Sequence, residues 1–278
     1  MKKDVLRIKG TEEKGKEVKG TGAIGTGVKG GELYSAALKK AWDTFLQMFL
    51  DLAFPRRCPV CDRPVKPSGA YICNECRNKL VYIKEPRCRK CGKQLEKAEN
   101  EYCYDCGTKR HIYDRGAALY SYGSIRLSLY RLKYGGRQEY AVFLGMDMAG
   151  RLGREILSWK PDALVPVPLH PAREKKRGYN QAALLAAELG KQLGIPVLAH
   201  FVERTRNTRP QKELEGARRQ NNLKKAFKIV QNDVKLDTIV IIDDIYTTGS
   251  TIDAVAQACR DAGVKHVYFA ALAIGRGM

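Results

Sequence analysis

The pattern of apolar and polar positions changes character twice along the 278 residues. Residues 1–31 set few large apolar side chains among Lys, Glu and Gly. Burial there cannot offset ordering entropy, so a disordered basic tail is expected. From 32 to 54, Leu38, Trp42, Phe45, Phe49 and Leu52 recur at spacings of three and four. That period predicts an amphipathic helix whose stripe docks on a domain of this chain or on a partner. Asp43 and Asp51 argue against its insertion into a membrane. Pro55 opens a cysteine-rich stretch, poor in apolar residues, that ends near 110. From 111 to 278 short apolar runs alternate with helical periodicity. Strands are expected at 117–122, 162–168, 238–243 and 266–274, and helices at 137–157, 180–194 and 252–263. The runs TIVIID and HVYFAALAI are continuous rather than alternating, as in strands covered on both faces. The order predicts an α/β domain built on a parallel sheet.

Eight of the nine cysteines fall between 58 and 106, in four Cys-x-x-Cys pairs: Cys58/Cys61, Cys73/Cys76, Cys88/Cys91 and Cys103/Cys106. Residues 58–76 repeat in spacing as 88–106. The N-terminus is basic but has no apolar core of a secretory signal, so a cytoplasmic, reducing compartment is expected and clustered thiols read as metal ligands. A Cys-x-x-Cys turn sets two thiolates on one side of a knuckle, and two facing knuckles close a tetrahedral Zn–S₄ site. Eight thiolates suit two structural zinc ions over 55–110, with an iron–sulfur cluster or redox dithiols as the alternatives, and little apolar content leaves metal to supply much of the folding energy. Sequential pairing gives two zinc ribbons in tandem; the equal spacings are also compatible with a cross-braced pairing. Cys259 stands apart and is expected not to be a ligand.

Fifty Lys and Arg against thirty Asp and Glu give a formal charge of +20. Two Zn–S₄ centres at −2 each would lower it to about +16. Such a balance favours anionic partners. No run of eighteen apolar residues occurs, so no membrane span is expected. In the cysteine region Arg56, Arg57, Arg63, Lys66, Arg87, Arg89, Lys90 and Lys93 interleave with Tyr71, Tyr82, Tyr102 and Tyr104. Two readings stand: a surface on which single-stranded nucleic acid stacks, or tyrosines that pack the small ribbon cores.

Residues 239–251 read Ile-Val-Ile-Ile-Asp-Asp-Ile-Tyr-Thr-Thr-Gly-Ser-Thr. A buried strand ends in two acids, then a hydroxyl- and glycine-rich turn, then a helix. In an open parallel sheet, ligands bind beyond the carboxyl ends of strands. Thr247, Thr248, Gly249, Ser250 and Thr251 offer N–H and hydroxyl donors to a monophosphate. Asp243 and Asp244 offer acceptors to sugar hydroxyls. Phosphate and cis-diol coincide in a ribose 5-phosphate. The GxxxxGK[ST] loop of P-loop NTPases is absent.

This segment resembles the phosphoribosyl pyrophosphate (PRPP) signature of type I phosphoribosyltransferases. Val165-Pro-Val-Pro-Leu-His-Pro-Ala-Arg-Glu-Lys-Lys-Arg-Gly-Tyr-Asn-Gln181 resembles a motif of the ComF family of competence proteins. Residues 204–211 (RTRNTRPQ), with 218–227 (RRQNNLKKAF), are similar to that family's second motif. The resemblance covers about 45–275 and implies a type I phosphoribosyltransferase fold behind the ribbons. It further implies that PRPP binds with Mg²⁺ and that Arg173 and Arg177 face pyrophosphate. Arg204, Arg209 and Gln211 would belong to a loop closing over the site. For function it implies DNA uptake or processing, with PRPP and single-stranded DNA as ligands and a helicase or other uptake protein as a partner. The alternative is an active phosphoribosyltransferase of nucleotide metabolism, a glycosyltransferase passing ribose 5-phosphate to an unidentified base. No catalytic residue can be singled out.

Overall fold

The computed structural model describes Trp42 and residues 54–67, 69–205, 226–230 and 235–275. The expected tail at 1–31 and nearly all of the expected helix at 32–54 lie outside these residues, as do Arg209 and Gln211.

The cysteine region folds as a structural repeat. In its first copy the Cys58 N–H bonds the Arg63 carbonyl and the Asp62 N–H bonds the Cys58 carbonyl, each at 2.8 Å. In the second the same bonds join Cys88 to Lys93 at 2.7 Å and Gly92 to Cys88 at 2.9 Å. A single turn of helix carries the far cysteine of each copy: α1 (Asn74–Arg77) and α2 (Tyr104–Thr108). The residue after each first knuckle is left-handed, with φ of 61° at Asp62 and 73° at Gly92. At Gly92 no other residue fits, because a Cβ would lie 2.8 Å from the Gly116 carbonyl.

Behind the repeat come β1 (Arg115–Ser121), α3 (Tyr122–Tyr134), α4 (Tyr140–Ser158), β2 (Ala163–Pro166), α5 (Pro171–Arg177) and α6 (Gln181–Leu193). A short antiparallel pair follows, β3 (Val202–Arg204) with β4 (Phe227–Ile229). The chain ends in β5 (Thr238–Tyr246), α7 (Ser250–Asp261) and β6 (His266–Ile274). The main sheet has the order β1-β6-β5-β2, all parallel. All four strands therefore end at one edge.

Strand β5 shows why the expected runs are continuous. Val240 and Ile242 enter the core shared with α3, α4 and α6; Ile239 and Ile241 enter the opposite core with α7. Both faces are covered, so both sets of alternate positions are apolar. The cysteine repeat divides in the same way. Cys58, Ile72, Cys76 and Leu80 belong to the first core, whereas Cys88, Cys91, Leu95 and Cys103 belong to the second. Backbone bonds fix the attachment: Gly116 N–H to Lys90 at 2.9 Å, Ile83 N–H to Leu119 at 3.0 Å and Ser121 N–H to Val81 at 2.8 Å.

Three differences from the sequence expectations concern the site edge. β5 runs on to Tyr246, so Asp243 and Asp244 lie within the strand, because β6 continues alongside and pairs Tyr246 with Ile274. β2 is shorter than 162–168, since Pro166 and Pro168 have no N–H to extend a ladder. Helices α3 and α5 were not expected. In α3 the outward Leu127, Tyr130 and Tyr134 are as apolar as the inward Ile125, Leu129 and Leu132, which erases the amphipathic period. α5 is short and strongly basic, set by His170 as N-cap, Pro171 in the first turn and Gly178 at φ 85°.

Candidate functional site

Two clusters of four thiols form, Cys58/Cys61/Cys73/Cys76 and Cys88/Cys91/Cys103/Cys106. The pairing is sequential. Within each cluster the sulfurs lie within 4.8 Å of one another, and Cys91 and Cys103 Sγ are 3.7 Å apart. Zn–S bonds of about 2.3 Å imply tetrahedral edges of about 3.8 Å, so the donor set fits a closed Zn–S₄ centre. Such a centre offers no open coordination position and holds structure. Cys259 is buried in α7 away from both clusters, and burial pushes its thiol up to about 12.

Three of the cations of the cysteine region are paired with carboxylates and one of its four tyrosines is packed, whereas Tyr71 is exposed. Arg87 pairs with Glu85 at 2.6 Å and Glu155 at 3.1 Å, Arg89 with Glu101 at 2.7 Å and Lys93 with Asp105 at 2.7 Å. Tyr82 packs on Tyr120, its hydroxyl donates to Asp147 at 2.9 Å, and Arg151 lies over its ring at 3.6 Å. For Tyr82 the packing reading holds; Tyr102 and Tyr104 are exposed.

At the carboxyl edge of β5, Asp243 and Asp244 are 8% and 4% exposed. Burial raises the Asp243 carboxyl well above the ordinary value, and the neighbouring charge of Asp244 adds to it; Lys133 opposes both. Asp244 is held from two elements. Lys133 Nζ of α3 forms an ion pair with it, and Gln181 Nε2 of α6 donates to its Oδ1 at 3.3 Å. Gln181 in turn accepts from Arg177 of α5. Lys133 and Gln181 were missed by sequence reasoning. Gln181 closes the 165–181 motif, a signal that was available, whereas Lys133 sits in the helix whose periodicity is masked.

The turn after β5 is shaped by Gly249, at φ 79°. A Cβ there would meet the Tyr246 hydroxyl at 2.7 Å and His111 Cε1 at 2.9 Å. Gly249 is therefore required by the fold as well as by any approaching anion. Thr248 and Ser250 hydroxyls lie 2.9 Å apart. Ser250 and Thr251 open α7, where the first N–H groups of a helix are free for an anion. Thr247 at the turn's start is exposed.

Among the loop cations, Arg177 lies over the Tyr134 ring at 5.1 Å. Arg204 ends β3 and packs on Phe227 at 5.5 Å. Burial and the charge of Arg173 lower the Arg204 guanidinium below its ordinary value, and Asp243 pulls it back. Arg173, Arg204 and Asp243 are thus within electrostatic reach, although they lie far apart in sequence. His170 Nδ1 accepts from the Ala172 N–H at 3.2 Å and caps α5.

Comparison with known proteins agrees with this architecture. The family profile described as double zinc ribbon domain matches residues 49–107, and that described as phosphoribosyl transferase domain matches 140–277. Competence protein F of Haemophilus influenzae is 28% identical over 77% of this chain and 95% of its own. DNA utilization protein YhgH of Salmonella typhimurium is 33% identical over 74% of this chain and 91% of its own. Competence protein ComFC of Bacillus subtilis is 29% identical over 69% of this chain and 79% of its own. With a double zinc ribbon, a phosphoribosyltransferase domain and these relatives spanning most of its length, the chain belongs to the ComF family.

Proposed function

We propose that this protein binds PRPP at the carboxyl edge of β5 and acts on single-stranded DNA during its uptake or processing. The observation that carries the PRPP reading is the buried acid pair Asp243–Asp244 one turn before Gly249 and the α7 N-terminus. The acids accept from the ribose hydroxyls; the backbone N–H groups and hydroxyls of Thr247–Thr251 hold the 5-phosphate. Arg173 and Arg177 of α5 and Arg204 of β3 supply positive charge for pyrophosphate. Arg209 and Gln211 belong to the same loop reading and lie outside the described residues. Mg²⁺, when bound with PRPP, neutralises pyrophosphate oxygens. Lys133 pairs with Asp244, which offsets the charge of one of the two adjacent buried carboxylates. The DNA reading is supported by the +20 charge and by the names of the relatives, competence and DNA utilization proteins. It extends to a helicase or other uptake protein as partner and to a cytoplasmic location. No helix among the described residues is long and apolar enough to cross a membrane.

Calorimetry of the full chain with Mg-PRPP tests the first part; saturable binding is expected, and no heat would sink it. Titration with labelled single-stranded DNA tests the second. A screen of free bases for pyrophosphate release decides whether the site is that of an active transferase.

A further inference from the structure

Helix α3 carries an outward face that nothing covers among the described residues. Leu127, Tyr130 and Tyr134 are 57%, 61% and 68% exposed. Tyr130 and Tyr134 are one turn apart, with ring centroids 5.3 Å from each other at 50°. The face borders an open cavity of about 460 Å³ that reaches Lys133 and Ile245. Lys133 is the partner of Asp244, so the cavity runs from the aromatic pair to the β5 edge. Arg126 on this lining is exposed, and Arg177 stands over the Tyr134 ring. The charged residues of the lining are Arg126 and Lys133, of which Lys133 is paired with Asp244, and the lining has no carboxylate of its own.

We propose that this face is a stacking platform for single-stranded nucleic acid, with bases on Tyr130 and Tyr134 and phosphate on Arg126. This rests on the DNA reading above and moves its surface from the ribbons to α3. Paired, exposed aromatic rings beside an exposed cation such as Arg126 suit a single strand: every base has a face to stack, and every phosphate needs a cation. A second copy of this chain would bring cations against cations. On the ribbon, Arg87, Arg89 and Lys93 are paired with carboxylates and Tyr82 is packed, whereas Tyr71, Tyr102 and Tyr104 are exposed, so the ribbon is the rival surface that the test must separate.

The test is a fluorescence-anisotropy titration of the full, zinc-loaded chain with a labelled oligothymidylate. Tyr130→Ala should weaken binding roughly fivefold to a hundredfold, and Tyr130→Trp should retain it. Arg126→Ala should reduce the slope of log affinity against log salt by about one. Tyr104→Ala on the ribbon should leave affinity unchanged. Tyr130 is the cleaner probe, since Tyr134 touches Arg177; its alanine variant should keep wild-type zinc content and PRPP heat. Wild-type DNA affinity in both Tyr130→Ala and Arg126→Ala, or a loss confined to Tyr104→Ala, would overturn the platform and leave the DNA reading standing. A wild-type protein with no DNA affinity would overturn both, while the PRPP titration is scored separately.

Discussion

The hydroxyl groups of Tyr113 and Tyr246 lie 2.7 Å apart, which joins the segment after the second cysteine cluster to the last residue of β5. His111 stacks on Tyr113 at 4.9 Å, and its Nδ1 lies 2.8 Å from the Asp253 carboxylate. The other oxygen of Asp253 accepts from the Ile112 N–H at 2.8 Å. Gly249 rests against Tyr246 and His111. The candidate phosphate turn is thus braced from behind by residues that leave the second cluster.

Asp253→Ala removes both of these bonds and should destabilise the protein by about 1–3 kcal/mol, chiefly because the buried His111 ring loses its partner. Asp253→Asn keeps an acceptor for Ile112 and should cost less. Urea unfolding measures the difference.

Metal content follows from the sequential clusters. The chain should bind two zinc ions, and Cys58→Ser and Cys91→Ser should each lose one. Cys259→Ser should lose none. Elemental analysis decides, and iron–sulfur absorbance would contradict it. Because cysteines of each cluster sit in the cores on the two sheet faces, chelation should lower the unfolding midpoint of the whole 54–275 unit.

Asp244→Asn should weaken Mg-PRPP binding roughly tenfold to a hundredfold, the range of a charge-assisted bond worth about 1.5–3 kcal/mol. Calorimetry reads it directly. Gly249→Val should fail earlier, at folding: its Cβ collides with Tyr246 and His111 and its φ is left-handed. A valine protein that unfolds at the wild-type urea midpoint would contradict this packing.

The raised Asp243 carboxyl fixes a sign for pH. The folded protein holds the Asp243 proton to higher pH than the unfolded chain does. Its contribution is therefore full below the ordinary aspartate value and is lost as pH rises through the raised one. Asp243→Asn, which cannot ionise, should gain stability relative to wild type as pH rises from acidic to alkaline. Urea midpoints at several pH values, without PRPP, test the trend; a gain that shrinks with rising pH would refute it.

The Cys259 thiol, pushed up to about 12 by burial, should not react with a thiol reagent at neutral pH in the folded chain. It should react only after denaturation, whereas the eight clustered thiols should become reactive once a chelator removes the metal. Thiol counting separates the two classes.

The sequence by itself determined the parallel sheet, the two tetra-cysteine groups and the turn after β5. Each is a local statement: a continuous apolar run, a fixed Cys-x-x-Cys spacing, a glycine among hydroxyls. It also carried the repeat of 58–76 in 88–106, which returns as matched backbone bonds in the two ribbons. Only the tertiary structure decided the pairing of the cysteine pairs, since equal spacings do not choose between partners. Only it put Lys133 on Asp244 and Arg204 in reach of Asp243, since a charge pair between distant segments leaves no period in either. The helix that carries Lys133, Tyr130 and Tyr134 was hidden for the same reason that its face is of interest. Its exposed side is as apolar as its buried side, so the amphipathic contrast by which a surface helix is recognised is missing.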